Sequence, residues 1–220
     1  MIIAIDKARA KIASERKLAM TNTRLSVAHH ERIVRLSRLA MLIECEGSIT
    51  VGMTPPTKTR CRPALTAAVD LTNTATDIIE EAKETLALEG IACTARPEGR
   101  CRGVGRKPRF DVNLHGFDRV EKVLTALMPY LRSKRRQAEI VLEFVDCRRR
   151  AHKHAAYSNH EWQLVYEVRR LNGKMPHRKA VAKALAYLAS PECDQRSRTA
   201  EYFRKYVAMC ADLTRDLKAA

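Results

Sequence analysis

Residues 39–47 read Leu39-Ala40-Met41-Leu42-Ile43-Glu44-Cys45-Glu46-Gly47. Upstream, from Glu31, the apolar residues Ile33, Val34, Leu36, Leu39, Ala40, Leu42 and Ile43 recur at helical spacing. The pattern stops at Gly47, a residue type that ends helices. Beyond it the period changes to two: Ile49, Val51 and Met53 alternate with Ser48, Thr50 and Gly52. An apolar helix therefore ends in two carboxylates and feeds directly into a strand. Carboxylates there face the negative end of the helix macrodipole, at a cost of up to about 1 kcal/mol. A divalent cation relieves that cost, because hard cations take carboxylate and carbonyl oxygens as ligands. A solvated helix end is the plainer reading of the two acids alone.

Working outward, Pro55-Pro56 breaks the first strand and residues 58–62 form a basic connection. Leu65, Ala67, Val69 and Leu71 alternate with Thr66, Ala68 and Asp70 in a second strand, closing a hairpin with Arg60 and Arg62 near its turn. Thr74 or Thr76 can cap a helix that runs to about Glu89 and stops at Gly90. A third strand is expected over 91–96, a Gly- and Arg-rich turn over 97–108 and a fourth strand over 109–114. A short helix over 118–127 precedes Pro129, and a longer one covers 133–149. Residues 31–150 thus read α-β-β-α-β-β-α-α, an α+β domain with an antiparallel four-stranded sheet. Its second face is poor in large apolar residues and flanked by arginines. Residues 1–30 hold a basic helix over 5–20, and 151–220 read as an all-α extension with helices over 161–171, 177–188 and 197–217.

Composition narrows the partner. The 220 residues include 41 Lys and Arg against 25 acids, a net charge of +16 and a pI near 9.9. Such an excess points to a polyanion, most often nucleic acid. At 45% hydrophobic and 30% charged, the chain supports a packed core. No apolar run approaches the roughly 20 residues that span a membrane, and residues 1–4 are too short for a secretory signal. The seven cysteines (45, 61, 93, 101, 147, 193 and 210) form no CxxC pair. They suit a reducing intracellular compartment, cytoplasmic or organellar.

The 39–47 string resembles the signature of the LAGLIDADG homing endonucleases, fitting it at seven of nine positions when Asp and Glu are interchangeable. The resemblance extends over about residues 31–150. Gly47-Ser48-Ile49 is similar to the family's entry into its first DNA-facing strand, and Leu71-Thr72-Asn73-Thr74 to the end of its second. Residues 128–138, with Pro129, Leu131, Lys134, Gln137 and Ala138, resemble the segment before its last core helix. The resemblance implies a sequence-specific double-strand DNA endonuclease that cuts by Mg²⁺-dependent hydrolysis, with Mn²⁺ as a substitute. A single motif implies a homodimer with a long pseudo-palindromic target, and neither a membrane nor a small-molecule substrate.

Carried over by position, Glu46 is the metal-ligating carboxylate and the Cys45 carbonyl a further ligand. Asn73 organises active-site water and Lys134 lies near the scissile phosphate. Leu39, Ala40, Met41, Ile43 and Glu44 are expected at the dimer interface. The chain departs from the family pattern at Met41, usually Gly, at Cys45, usually Gly or Ala, and at Asp77, where some relatives carry a basic residue. Met41 and the absence of a basic residue at 77 favour, as an alternative, a non-cleaving nucleic-acid binder on the same scaffold, an intron maturase or a transcription factor, while the retained Glu46 and Lys134 count against it. A basic protein of ribosomal RNA is a further rival.

Two-stranded ribbons read base edges with alternate side chains. Expected DNA contacts are Ser48, Thr50, Gly52 and Thr54 on the first strand and Arg60, Arg62, Thr66 and Asp70 around the second. The second hairpin adds Thr94, Arg96, Arg109, Asp111 and Asn113, and its turn Arg100, Arg102, Arg106 and Lys107. Six basic residues between 96 and 109 against one acid suit phosphate contact. Arg132, Arg135 and Arg136 form a further cluster at a helix start.

Overall fold

The computed structural model describes residues 26–54, 64–95, 108–152, 155–173, 178–191, 193–194 and 196–219. The expected helix over 5–20 and the two basic turns, 55–63 and 96–107, lie outside the described residues. Helix α1 is described over 26–46 and passes without a loop into β1, Gly47–Thr54. There follow β2 (Ala64–Asn73), α2 (Thr76–Leu88), β3 (Thr94–Ala95), β4 (Phe110–His115), α3 (Phe117–Leu127) and α4 (Arg135–Arg150). Three more helices close the chain: α5 (Asn159–Leu171), α6 (Arg178–Ala189) and α7 (Arg198–Ala219). The fold is α+β, with one antiparallel sheet in the order β1-β2-β4-β3.

Strand parity sorts the sheet into two faces. Ile49, Val51, Leu65, Ala67, Val69, Leu71, Val112 and Leu114 are buried and join one apolar cluster with Leu36, Leu39 and Ile43 of α1 and with residues of α2, α3 and α4. The opposite parity leaves a polar face. Its rows follow from the register: Gly52 with Thr66, Thr50 with Ala68 and His115, Ser48 with Asp70, Asn113 and Thr94, and Thr72 with Asp111.

Two local expectations are corrected. The third strand does not begin at 91, because α2 ends in a Schellman motif. Gly90, at φ 67°, donates to Ala87 O, and the Ile91 amide donates to Leu86 O at 2.8 Å. Ile91 is buried against the helix end, so its amide is committed before any ladder can form. Neither Thr74 nor Thr76 caps α2. Ala75 is the N-cap residue and makes no side-chain cap bond, while Asn73 Oδ1 accepts from the Ala75 amide at 2.9 Å.

The C-terminal helices share the buried cluster of the core rather than standing apart from it. Arg148 of α4 and Glu161 of α5 form a buried ion pair at 3.1 Å, with the guanidinium also over the Tyr157 ring. Tyr157 Oη accepts from the Leu65 amide, and Asn172 donates to Ile49 O on the edge strand β1. Arg149 pairs with Asp118 and Glu121 of α3, and Arg150 with Asp146. Arg148 and Arg149 of the basic triplet are therefore spent holding helices together, while Arg150 pairs within α4.

Candidate nucleic-acid interface and acidic helix end

The joint between α1 and β1 is very tight. A Cβ on Gly47 would lie 2.8 Å from both the Cα and the carbonyl oxygen of Ile43, and 3.0 Å from Asp70 O. Only glycine lets the strand start against the last helical turn, and this fixes where Glu46 sits. Glu46 is exposed, and among the described residues no hydrogen bond or ion pair engages its carboxylate.

Glu44 behaves differently. Its Oε1 accepts from the Arg132 amide and, at 3.3 Å, from the Lys134 amide, just ahead of α4. Desolvation raises its pKa, but the amides of Arg132, Lys134 and Ser133 and the Ser133 hydroxyl together outweigh that and hold it below the usual carboxylate value. Lys134 Nζ reaches the other way, donating to Ile43 O at 2.8 Å and Gly47 O at 2.7 Å. The helix-end cost expected of Glu44 is thus met by α4, and Lys134 supplies a cation to the carbonyls at the joint of α1 and β1. Glu46 is the acid left facing outward.

The structure brings Glu44, Glu46 and Lys134 to one junction. Asn73 lies two residues beyond Leu71, the partner of Gly47, and its side-chain oxygen is engaged in the turn before α2. The Cys45 carbonyl belongs to the last turn of α1, whose carbonyls lack intrahelical partners.

The five residues expected at a dimer interface differ sharply in exposure. Leu39 is 4%, Ala40 0% and Ile43 1% exposed, so these side chains serve the chain's own core. Glu44 is committed to the start of α4. Of the five residues, Met41 alone is well exposed, at 59%. It continues a stripe with Val34 at 41% and Val27 at 53%, at seven-residue spacing along α1, and exposed Cys45 follows one turn on. The seven-residue spacing of Val27, Val34 and Met41 is the sequence signal for this exposed stripe.

On the polar sheet face, Ser48, Thr50, Thr66, Asp70 and Asn113 are half-buried and Thr94 is exposed. Thr72 donates to Asp111 at 2.9 Å. His115, which sequence reasoning passed over, lies on this face 3.6 Å from Asp70. Arg109 and Arg132 are exposed. Arg135 pairs with Glu139 at 3.3 Å, and Arg136 with Glu139 and Glu167 at 3.5 Å. Exposed pairs of this kind are worth under about 1 kcal/mol and yield to a phosphate. Arg60, Arg62, Arg96, Arg100, Arg102, Arg106 and Lys107 lie outside the described residues, as does the Thr54 side chain.

The elements run α-β-β-α-β-β-α around one antiparallel sheet, the order expected from the resemblance to the LAGLIDADG homing endonucleases. Solved structures similar to this chain are homing endonucleases. One is I-CvuI in complex with the I-CreI target, at 17% identity and a TM-score of 0.46, covering 84% of this chain and 97% of that one. Another is the archaeal intron-encoded I-Vdi141I complexed with DNA, at 14% and 0.48, covering 82% and 97%. A third is the LAGLIDADG homing endonuclease I-LtrWI bound to target DNA, at 18% and 0.45, covering 62% of this chain and 44% of that one. No family model matches the chain, and no curated protein sequence matches it. No helix among the described residues is long and apolar enough to cross a membrane.

Proposed function

We propose that this protein is a sequence-specific DNA endonuclease that acts as a homodimer and cuts both strands by Mg²⁺-dependent hydrolysis. The observation that carries the reading is the exposed apolar stripe of α1, Val27, Val34 and Met41, running down the helix that ends at exposed Glu46. Half of the six exposed large hydrophobic residues among those described fall on this stripe. A second copy of the chain is its natural cover. Isologous pairing of two α1 helices sets like residues opposite each other. It would bring two Glu46 carboxylates to one centre, and the two polar sheet faces would lie side by side along a duplex.

The donor set fits Mg²⁺. That ion prefers oxygen ligands, keeps several waters and is held by one or two carboxylates plus substrate phosphates. One chain offers the Glu46 carboxylate and the Cys45 carbonyl, so a complete site draws on the second copy and the DNA. When bound, Mg²⁺ activates water and stabilises the developing charge of phosphodiester displacement. Two Glu46 carboxylates facing each other across the axis would repel, and a bound cation would offset that repulsion. The sheet residues Ser48, Thr50, Thr66, Asp70, Thr94 and Asn113 face base edges, and Arg109, Arg132, Arg135 and Arg136 face the phosphates. Asn73 orients water at the end of β2.

The test is a selection of bound duplexes from a random library, followed by incubation with Mg²⁺. Wild-type protein should cut the selected duplex. Glu46→Gln should bind it equally well and leave it intact. Equal cutting by the variant would remove Glu46 from the reaction. Binding without any Mg²⁺-dependent cutting by the wild type would favour the non-cleaving binder, which the large Met41 at a position for close helix approach also favours.

A further inference from the structure

We infer that Glu44 and Lys134 form a reciprocal clamp that positions Glu46, so that Lys134 serves the reaction as a positioning residue. The inference rests on the nuclease reading for its consequence in catalysis, but its geometry stands without it.

Each of the two charges is misplaced at its own helix end. Glu44 lies in the last turn of α1, where negative charge is disfavoured, and Lys134 is the N-cap residue of α4, where positive charge is disfavoured. Each side chain crosses to the other helix, where its sign is the favourable one. The Glu44 carboxylate accepts from the amides that lead into α4. The Lys134 ammonium spans Ile43 O and Gly47 O, at 2.8 and 2.7 Å. Helix α4 has no side-chain cap of its own and no acidic residue in its first turn, so Glu44 fills that role from outside the helix.

The two carbonyls gripped by Lys134 bracket residues 44–46. The ammonium therefore ties the last helical turn to the first residue of β1, with Glu46 between the anchors. Two of the three ammonium donors are spent on these backbone carbonyls. Their use here is to stop the turn carrying Glu46 from fraying. A displacement of about 1 Å in a metal-holding group is worth on the order of 100-fold in rate, so such an anchor matters without any contact to substrate.

The test is amide hydrogen exchange in the full-length protein, without DNA or metal, on Lys134→Met, Lys134→Arg, Glu44→Gln and the double variant Lys134→Met/Glu44→Gln. The clamp predicts that Lys134→Met speeds exchange at residues 47–50 and 132–136 by about tenfold or more, the factor that about 1.4 kcal/mol of lost local stability gives. Lys134→Arg, which keeps donors for two carbonyls, should recover part of this protection. The double variant should be little worse than the worse single variant, because both side chains close one joint. In cleavage, Lys134→Met should lower kcat and leave both DNA affinity and the shape of the pH–rate profile unchanged. Unchanged exchange at 47–50, or fully additive effects, would overturn the clamp. A wild-type protein that never cuts DNA would defeat the nuclease reading and leave the exchange result standing. Should Lys134→Met fail to fold, Lys134→Arg and Glu44→Gln carry the same comparison.

Discussion

Replacing Gly47 by alanine tests the joint on which the site depends. The added methyl would meet Ile43 Cα and O at 2.8 Å and Asp70 O at 3.0 Å, all of them backbone atoms. Comfortable carbon contacts begin near 3.5 Å, so the start of β1 must retreat from α1 by about 0.7 Å. The φ of Gly47 is not in the left-handed region, so the penalty is steric alone. Overpacking of this kind costs about 1–3 kcal/mol, against roughly 0.4–1 kcal/mol regained by stiffening the unfolded chain. A net loss of about 1.3 kcal/mol lowers Tm by about 3–5 °C in a chain of this size. The same opening stretches the span that Lys134 bridges between Ile43 O and Gly47 O, and cutting should fall by on the order of 100-fold. Thermal melting by circular dichroism and a single-turnover cleavage assay read the two effects. Gly52→Ala is the control, since its methyl would meet only Thr66 O, at 3.8 Å, and should change stability by no more than about 0.5 kcal/mol. A Gly47→Ala protein that melts with the wild type would refute the tight joint.

Other outcomes follow from the same geometry. Met41→Glu places a like-charged pair on the stripe of α1 and should convert dimer to monomer in sedimentation velocity, with the fold intact by circular dichroism; a dimer of unchanged strength would move the interface elsewhere. Because the Glu44 pKa is held below its usual value, its contribution is full at neutral pH and is lost as pH falls through the lowered folded value. Urea titrations should show the stability gap between wild type and Glu44→Gln closing as pH drops below about 4; a gap that widens there would reverse the sign of the argument. Glu161→Ala strands the Arg148 guanidinium, whose side chain is 8% exposed, and should cost about 3–5 kcal/mol. Ser158→Ala, which removes only the α5 cap, should cost about 1 kcal/mol.

The order of elements was legible because each change of period carries a local chemical mark. Gly47 separates a 3.6-residue pattern from a two-residue one, and Gly90 ends α2 as its position suggests. Features set by distant partners were not legible. Ile91 has the composition of a strand, but its amide is captured by Leu86 O. The motif named the acids at the end of α1, yet the partner of Glu44 lies about 90 residues away at the start of α4. The nine-residue string covers every side of a helix, so by itself it does not separate the buried Leu39, Ala40 and Ile43 from the exposed Met41. Phase came only with Val27 and Val34, two and one heptads upstream of Met41. The arginines of 148–150 resemble a phosphate patch in composition, and only the fold reveals Glu161, Asp118 and Glu121 opposite them.

The most direct measurement of the central claim counts chains and ions on one duplex. Native mass spectrometry of the complex with selected DNA, with Mn²⁺ in place of Mg²⁺, should give two protein chains per duplex with bound metal, and the same two chains without that metal for Glu46→Gln. One chain per duplex, or equal metal retention in the variant, would contradict a site built from two Glu46 carboxylates.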